Sequence, residues 1–512
     1  MTNLTNVAFS GSTYYPANSP VNIPSLFESI DADDLPAFCR MELVITTNVT
    51  ANSSCRTEVW LPDAWNGRFL AVGNGGLAGG VDVGDLGFVA VAQGFAGMST
   101  DTGHSSTAYN GSWAGPHNDN AIVDFGWRAM HLSVVAGKEV VHQYYGKPSD
   151  KSYYMGCSTG GRQGLKEIQV FPEDFDGVVV GSPANWMTHL EDWSVHMNLN
   201  VLPASSSRFM NASLWTDVIH PEVLRQCDAI DGLEDGIIND PRFCERVSSF
   251  RPSTLACRPS QNTSTCLTLP QIAALQRIYA DYYEANETWI FGRYYPGGEA
   301  GYVSETEGLL NDIPFPMSEN WFRYFVLNDT DWTIDMYNAT IVTLADEINP
   351  GQANAIDFNL TVFAGPAHNG KLLQYVGWAD QLISPGSSLH YYEGVHAFMN
   401  ANTDMDVDDY YRMFTVPGMG HCFGGYGANA FGAVLQATGG MPPLSLDPEH
   451  NILAAMVQWV EGGIAPSSLT AVYYNGNNVT NGVGFVRPLC QYPKSLRYNG
   501  GNRTTTEGFI CV

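Results

Sequence analysis

The chain has 512 residues, with 24 Lys+Arg against 52 Asp+Glu and a formal net charge of −28. It is 44% hydrophobic and 12% aromatic but only 15% charged, which excludes a disordered chain kept in solution by its charges. So anionic a molecule repels phosphate backbones and anionic lipid surfaces, so nucleic acid and membrane are excluded as partners, and no run of 18 apolar residues marks a transmembrane helix.

Roughly 150 residues per domain would make about three domains, or one α/β domain with large insertions. Along the chain, RTEVWLP (56–62) reads as a strand, and RFLAVGNGG (68–76) as a strand running into a glycine-rich loop. GFVAVAQGFAGMST (87–100) reads as a further buried strand and turn. Residues 119–146 carry apolar side chains at helical spacing and end at a glycine, the pattern of a long helix. SYYMGCSTGGRQGLKEI (152–168) reads as strand, sharp turn and helix, and DFDGVVVGSPA (174–184) as a short buried strand. From about 185 to 365 the regularity fades into a stretch rich in Trp, Asn, Pro and Cys. Strand patterns resume at 370–380 and 410–422, followed by a helix at 450–463 and a strand at 469–474. This order predicts an α/β fold with a mostly parallel sheet: 1–184 and 366–512 form the catalytic domain, and 185–365 an inserted lid.

The N-terminal stretch MTNLTNVAFSGSTYYP lacks the basic and apolar regions of a signal peptide. Yet twelve N-x-S/T sequons are present, at Asn3, Asn48, Asn52, Asn110, Asn211, Asn262, Asn286, Asn328, Asn338, Asn359, Asn478 and Asn502, together with ten cysteines. These features predict a mature secreted glycoprotein whose signal peptide has been replaced by a start Met. Eight cysteines fall into sequence-local pairs, 39/55, 227/244, 257/266 and 490/511. Each would close a loop of about 10–22 residues, worth roughly 2–4 kcal/mol. Zinc is disfavoured, because no two C-x2-4-C units occur. Cys157 and Cys422 are left over.

Gly156-Cys157-Ser158-Thr159-Gly160 is a G-x-S-x-G between a strand and a helix, a turn that exposes a serine hydroxyl above a sheet edge. The helix N-terminus behind it would stabilise an oxyanion through the Thr159 N–H. A second donor would come from the Gly73-Asn74-Gly75-Gly76 loop, with Gly76 favoured. The bland alternative is a glycine-rich turn without chemistry, since 52 glycines generate chance matches. A nucleophilic serine needs a base and an orienting acid, in the order Ser, Asp, His for this class. His421, in PGMGHC after an apolar strand, is the favoured base over His390 and His396, which lie in SLHYYEGVHAF, read as surface. Asp380, at the end of LLQYVGWAD, is the candidate acid, although a turn or cap Asp reads the same way. Cys157 precedes Ser158 and Cys422 follows His421. A bridge between them would hold nucleophile and base close together, bridged Cα atoms being about 5.5–6 Å apart. The alternative is two unrelated buried cysteines.

Cys157-Ser158, Asp380 and His421-Cys422 resemble the CS-D-HC signature of the tannase and feruloyl esterase family. The resemblance runs from about residue 38 to the C-terminus and includes GNGG, the DTGH stretch at 101–104, GCSTGGRQGL and VPGMGHC. It implies an α/β-hydrolase fold with a large lid inserted after the strand that follows the nucleophile helix. It also implies Ser158 as nucleophile, His421 as base then acid, Asp380 as its orienting carboxylate, and a Cys157–Cys422 disulfide. Many fungal members carry an additional N-terminal cysteine pair that is missing here, so a Cys39–Cys55 bridge follows only by elimination.

Residues 227–237, CDAIDGLEDGI, pack three Asp into eight positions. Clustered carboxylates suit a hard cation such as Ca²⁺, though not an EF-hand, and an acidic solvated turn is the alternative. The resemblance implies side-chain ligands from Asp228, Asp231 and Asp235, with carbonyls of Leu233 and Ile237, in a structural calcium site. The lid is expected to form the acyl pocket, and its aromatics (Trp186, Trp193, Trp215, Trp321, Phe322, Tyr324) suit a phenolic ring, although core packing explains each singly. The reading is a secreted serine esterase acting on hydroxycinnamate (feruloyl-type) esters of plant cell-wall polysaccharides. The alternatives are a gallate or other aromatic ester hydrolase, or a non-catalytic phenolic- or glycan-binding protein on a hydrolase fold. A metalloenzyme is disfavoured by the absence of His pairs such as H-E-x-x-H.

Overall fold

The apolar runs become strands of one eleven-stranded sheet in the computed structural model, which describes residues 5–244, 250–284, 286–304 and 308–512. Its strands are β1 (Val7–Tyr15), β2 (Phe38–Asn48), β3 (Ser53–Pro62), β4 (Arg68–Val72), β5 (Ala96–Thr100), β6 (Lys151–Cys157), β7 (Gly177–Gly181), β8 (Lys371–Gly377), β9 (Tyr411–Val416), β10 (Ser468–Tyr474) and β11 (Val483–Gln491). Their spatial order is β1-β2-β3-β5-β4-β6-β7-β8-β9-β11-β10. The central run from β5 to β9 is parallel, and antiparallel strands flank it on both sides.

The parallel strands are buried on both faces, which is why they read as continuous apolar runs. Along β4, Phe69 and Ala71 join one core while Leu70 and Val72 join the other, following the two-residue period of a strand. The main helices are α1 (Ala129–Tyr145), α2 (Thr159–Val170), α3 (Met187–Val201), α4 (His220–Cys227), α5 (Leu269–Ile278), α6 (Thr340–Ile348), α7 (Pro385–Asn402) and α8 (Ile452–Gly462). On one face α1, α2 and α7 supply Val134, Leu165 and Val395; on the other α8 supplies Leu453, Met456 and Trp459. Gly146 and Gly463 end α1 and α8 in the left-handed conformation that favours glycine.

Three local readings need correction. Residues 87–95 are not strand: Leu86–Ala90 is a π-helical turn and Val91–Gln93 a 3₁₀ turn, ended by Gly94 at φ 77°. A short buried apolar run has no period that separates helix from strand. SLHYYEGVHAF is not a surface stretch but part of α7, with Tyr391, Tyr392 and Val395 buried. The antiparallel strands β1, β2 and β11 add to the sheet without having been assigned, because β1 is largely exposed and β2 and the start of β11 are half-buried, so none of them reads as a buried apolar run.

Between β7 and β8 the chain leaves the main sheet for almost 190 residues. Helices α3 to α6 of this span pack on a core of their own that includes Trp193, Trp215, Trp321 and Phe322, all fully buried. The result is an α/β-hydrolase architecture with a large lid inserted after β7, the strand that follows the α2 helix. Among the described residues, no helix is long and apolar enough to cross a membrane.

Candidate active site

β6 ends at Cys157 and α2 begins at Thr159, so one residue, Ser158, makes the turn. Its φ of 61° and ψ of −123° lie where a non-glycine residue pays about 1–3 kcal/mol. The conformation is held from three sides. Ser158 N–H donates to the Gly181 carbonyl at 2.9 Å, and its own carbonyl accepts from Arg162 and Ala184 N–H, both at 3.0 Å. The turn is tight enough that a Cβ at Gly160 would sit 2.9 Å from the Asn74 carbonyl oxygen, and one at Gly161 2.6 Å from that of Gly181.

His421 follows β9 and faces Asp380, three residues past the end of β8. Its Nδ1 lies 3.1 and 3.0 Å from the two carboxylate oxygens. A carboxylate only accepts, so this contact places the ring proton on Nδ1 and directs Nε2 to the opposite side. Asp380 is 1% exposed, and its Oδ1 accepts N–H bonds from Leu382 and Ile383 at 2.9 Å, which fix its orientation. The Gln381 side chain accepts from the His421 N–H at 3.0 Å. A Cys157–Cys422 disulfide, Cα–Cα 5.9 Å, ties the residue before Ser158 to the residue after His421. His390 is elsewhere, stacked on Trp289 at 3.9 Å, and His396 packs on Tyr392 within α7.

Thr159 is the first residue of α2, so its N–H belongs to the unpaired donors of a helix N-terminus. Its hydroxyl donates to the Gly76 carbonyl at 2.8 Å, bringing the 73–76 loop against the helix. Gln163 clamps the same loop, accepting from Asn74 N–H at 3.0 Å and donating to its Oδ1 at 3.1 Å. Behind the loop, His104 Nε2 and Trp113 Nε1 both reach the Leu77 carbonyl, at 3.0 and 3.1 Å, and their rings stack at 3.6 Å. Burial pulls the His104 pKa down to about 4, against the opposing backbone hydrogen bonds, so the ring is neutral and serves as a prop. Gln163 and His104 lie in the GRQGL and DTGH stretches, but sequence reasoning assigned them no role.

Two cavities meet at Ser158, sharing Gly76, Met317 and Leu382. The inner one is lined by lid residues such as Met187, Leu190, Glu191 and Phe315. The outer one holds His421 and is bounded by Phe27, Glu28, Tyr109 and Phe423. The lid aromatics singled out from sequence line neither. Trp193, Trp215, Trp321 and Phe322 are lid core, Trp186 stacks on His189 at 3.8 Å, and Tyr324 lies against Gly115.

Asp228, Asp231 and Asp235 lie on one loop closed by the Cys227–Cys244 disulfide. Their carboxylates accept from loop N–H groups: Asp228 from Gly236 (2.9 Å), Asp231 from Leu233 (3.1 Å) and Asn239 (3.1 Å), and Asp235 from Ile237 (3.3 Å). Arg487 of β11 pairs with Asp235 at 3.1 Å. Burial, opposed by two backbone hydrogen bonds and aided by the charges of Asp235 and Asp228, raises the Asp231 pKa to about 7. One guanidinium, paired with Asp235, leaves the loop with an excess of negative charge, but the three carboxylates do not bring ligand oxygens within 4.8 Å of one another.

Among the described residues, the one trio of His, Cys, Asp or Glu with ligand atoms within 4.8 Å is another set, His131, Glu167 and Asp174. It arises where α1 meets the end of α2, a pairing with no sequence spacing to announce it. Burial would lower the His131 pKa, but hydrogen bonds to Asp174 and Glu167 and their charges hold it near 9. The imidazolium, with Lys138 3.8 Å from Asp174, already supplies positive charge there.

Disulfides Cys257–Cys266 and Cys490–Cys511 also form, but Cys39–Cys55 does not, and both thiols are free. The strand register explains this. β2 and β3 pair antiparallel with Cys39 opposite Leu61 and Ile45 opposite Cys55, so six residues of strand, about 20 Å, separate the two sulfurs along the ladder.

Residues 39–512 match the family described as tannase and feruloyl esterase. A probable feruloyl esterase B-2 of Aspergillus oryzae is 36% identical over 521 residues, covering all of this chain and 93% of the relative. The crystal structure of feruloyl esterase B from Aspergillus oryzae superposes with a TM-score of 0.90 at 36% identity, covering 100% of this chain and 97% of that one. The tannin acyl hydrolase of Aspergillus niger, at 22% identity and a TM-score of 0.74, covers 100% of this chain and 92% of its own and shares the fold. With a full-length match at this identity, the chain belongs to the tannase and feruloyl esterase family and is a carboxylic ester hydrolase.

Proposed function

We propose that this is a secreted serine esterase of hydroxycinnamate (feruloyl-type) esters, such as those of plant cell-wall polysaccharides, working through an acyl-enzyme on Ser158. The observation that carries it is the His421 imidazole, held at Nδ1 by buried Asp380 and tethered by the Cys157–Cys422 disulfide beside Ser158, in the wall of the same cavity. In this reading His421 Nε2 takes the Ser158 proton as Oγ bonds to the ester carbonyl carbon. The oxyanion is met by the N–H groups of Thr159 and Gly76. Collapse breaks the bond to the alcohol oxygen, which receives the proton from His421. Water then repeats the sequence and releases the acid.

The feruloyl assignment rests on full-length relatives bearing that name at 36% identity, whereas the likeness to a tannin acyl hydrolase is one of fold. Residues 185–365 are the lid, and its 227–237 loop is the structural Ca²⁺ site, with Asp228, Asp231, Asp235, Leu233 and Ile237 as the residues that would hold the ion. A bound Ca²⁺ would neutralise the carboxylates and stiffen the lid against β11; no step of the reaction uses it. Secretion is supported by the four disulfides and by the sequons: Asn3 lies outside the described residues, Asn48 is half-buried, and the remaining ten asparagines are exposed.

Hydrolysis of methyl ferulate, caffeate, p-coumarate, sinapate and gallate tests the reading, with Ser158→Ala as control. Cinnamate esters are expected to be cleaved in preference to gallate, and Ser158→Ala to lose at least about a thousandfold in kcat/KM. Preference for gallate would reassign the substrate, and full activity of Ser158→Ala would overturn the mechanism.

A further inference from the structure

The inner cavity is a pocket of apolar side chains running from Ser158 into the lid. One face of α3 lines it, with Met187, Leu190, Glu191 and Ser194 at the i, i+3, i+4 and i+7 spacing of a single helical stripe. Such a stripe is normally apolar throughout. Here it carries a glutamate that is 4% exposed.

The polar side chains of this wall are otherwise committed. Ser194 donates its hydroxyl to the Leu190 carbonyl at 2.9 Å, and Thr159 donates to Gly76. Glu191 Oε2 is fully enclosed and has no hydrogen-bond partner among the described residues. Among the described residues no cation pairs with it either; its carboxyl pKa is raised to about 8 by burial. The group is therefore a neutral carboxylic acid over the acid and neutral range, able both to donate and to accept a hydrogen bond. A buried polar group without a protein partner is costly, and Glu191, on the wall of the cavity that reaches Ser158, is placed to be satisfied by what enters that cavity.

We propose that Glu191 is a specificity-determining residue that recognises a phenolic hydroxyl at the far end of the acyl group from the scissile carbonyl. The inference rests on the reading of Ser158 as the nucleophile that places the ester carbonyl at the mouth of this cavity. The cavity has only about 20 Å³ of free space as it stands, so the ring and its unsaturated arm enter between the apolar walls as the flexible Met187 and Met317 side chains move aside. Glu191 pairs with the hydroxyl as donor and acceptor, so an acyl group lacking that hydroxyl leaves the carboxyl unpaired. Discrimination by a buried polar group works in this direction.

The test compares kcat/KM for methyl p-coumarate and methyl cinnamate, which differ by one hydroxyl, in wild type, Glu191→Gln and Glu191→Leu. Wild type is expected to favour p-coumarate by about ten- to a hundredfold. Gln keeps a donor and an acceptor and should retain most of that preference. Leu should bring the ratio to within about twofold of unity while activity on the cinnamate persists, a split that a merely structural role would not produce. A wild-type ratio near one, or a ratio unchanged in Glu191→Leu, overturns the inference. Should Glu191→Leu fail to fold, the wild-type and Gln ratios decide. If wild type cleaves neither ester, the esterase reading has failed. Glu191 is then judged by titrating both intact esters into Ser158→Ala, where equal affinities reject it and a preference for p-coumarate lost on adding Glu191→Leu upholds it.

Discussion

Replacing both Cys157 and Cys422 by Ala separates the disulfide's contribution to stability from its contribution to geometry. The bridge spans 265 residues of sequence. In the chain-entropy relation a loop of that length gives a ceiling of about 5.6 kcal/mol at 25 °C, and native bridges more typically deliver about 2–5 kcal/mol. At about 2.1 cal/mol/K per residue the unfolding entropy of 512 residues is roughly 1.1 kcal/mol/K, so Tm should fall by only about 2–5 °C. Activity should fall much further. The tether fixes His421 relative to Ser158, and a loss of alignment of about 1 Å costs on the order of a hundredfold. The assay is kcat/KM on methyl ferulate at 25 °C, where the variant remains folded, beside a calorimetric scan. A variant with wild-type kcat/KM and a lowered Tm would refute the positioning role and leave the bridge a staple alone.

Three other outcomes follow from the structure. Protein denatured without reductant should show two reactive thiols per chain, Cys39 and Cys55, out of ten cysteines; none would restore the bridge that the strand register forbids. Gly73→Ala puts a Cβ 2.3 Å from the Tyr154 hydroxyl and 2.6 Å from Gly160 Cα, pushing the 73–76 loop off α2. Its kcat should drop about ten- to a thousandfold, and an unchanged kcat would remove the loop from the proposed oxyanion site. Glu191, whose pKa burial raises from its ordinary 4.5 to about 8, keeps its proton in the folded chain where the unfolded chain has lost it. Its contribution to stability is thus full below pH 4.5 and is lost as pH rises through 8, by at most about 5 kcal/mol. Thermal scans at pH 5 and 8 should show a smaller loss for Glu191→Leu than for wild type, and an equal or larger loss would contradict the burial argument.

Sequence alone determined the features whose physics is local. G-C-S-T-G between an apolar strand and a helix fixes a one-residue turn, because only glycines fit where α2 meets the 73–76 loop and Gly181. Parallel strands read as apolar runs because both faces are covered, and the lid read as a break in that alternation. The short cysteine spacings identified Cys227–Cys244, Cys257–Cys266 and Cys490–Cys511, since a chain of 9–21 residues returns readily to its start. The same logic misled at Cys39 and Cys55, where 16 residues form a hairpin whose register holds the thiols six residues apart along the ladder. Tertiary structure alone decided what lines the cavities. Trp193, Trp215 and Trp321 are as aromatic as any ring-binding residue, but they point into the lid's own core, whereas Glu191, one acidic residue among 52 in the chain, lies on the α3 face that closes over Ser158. The His131, Glu167 and Asp174 trio was equally illegible, because it joins α1 to α2 and the turn that follows it, a packing no local spacing encodes.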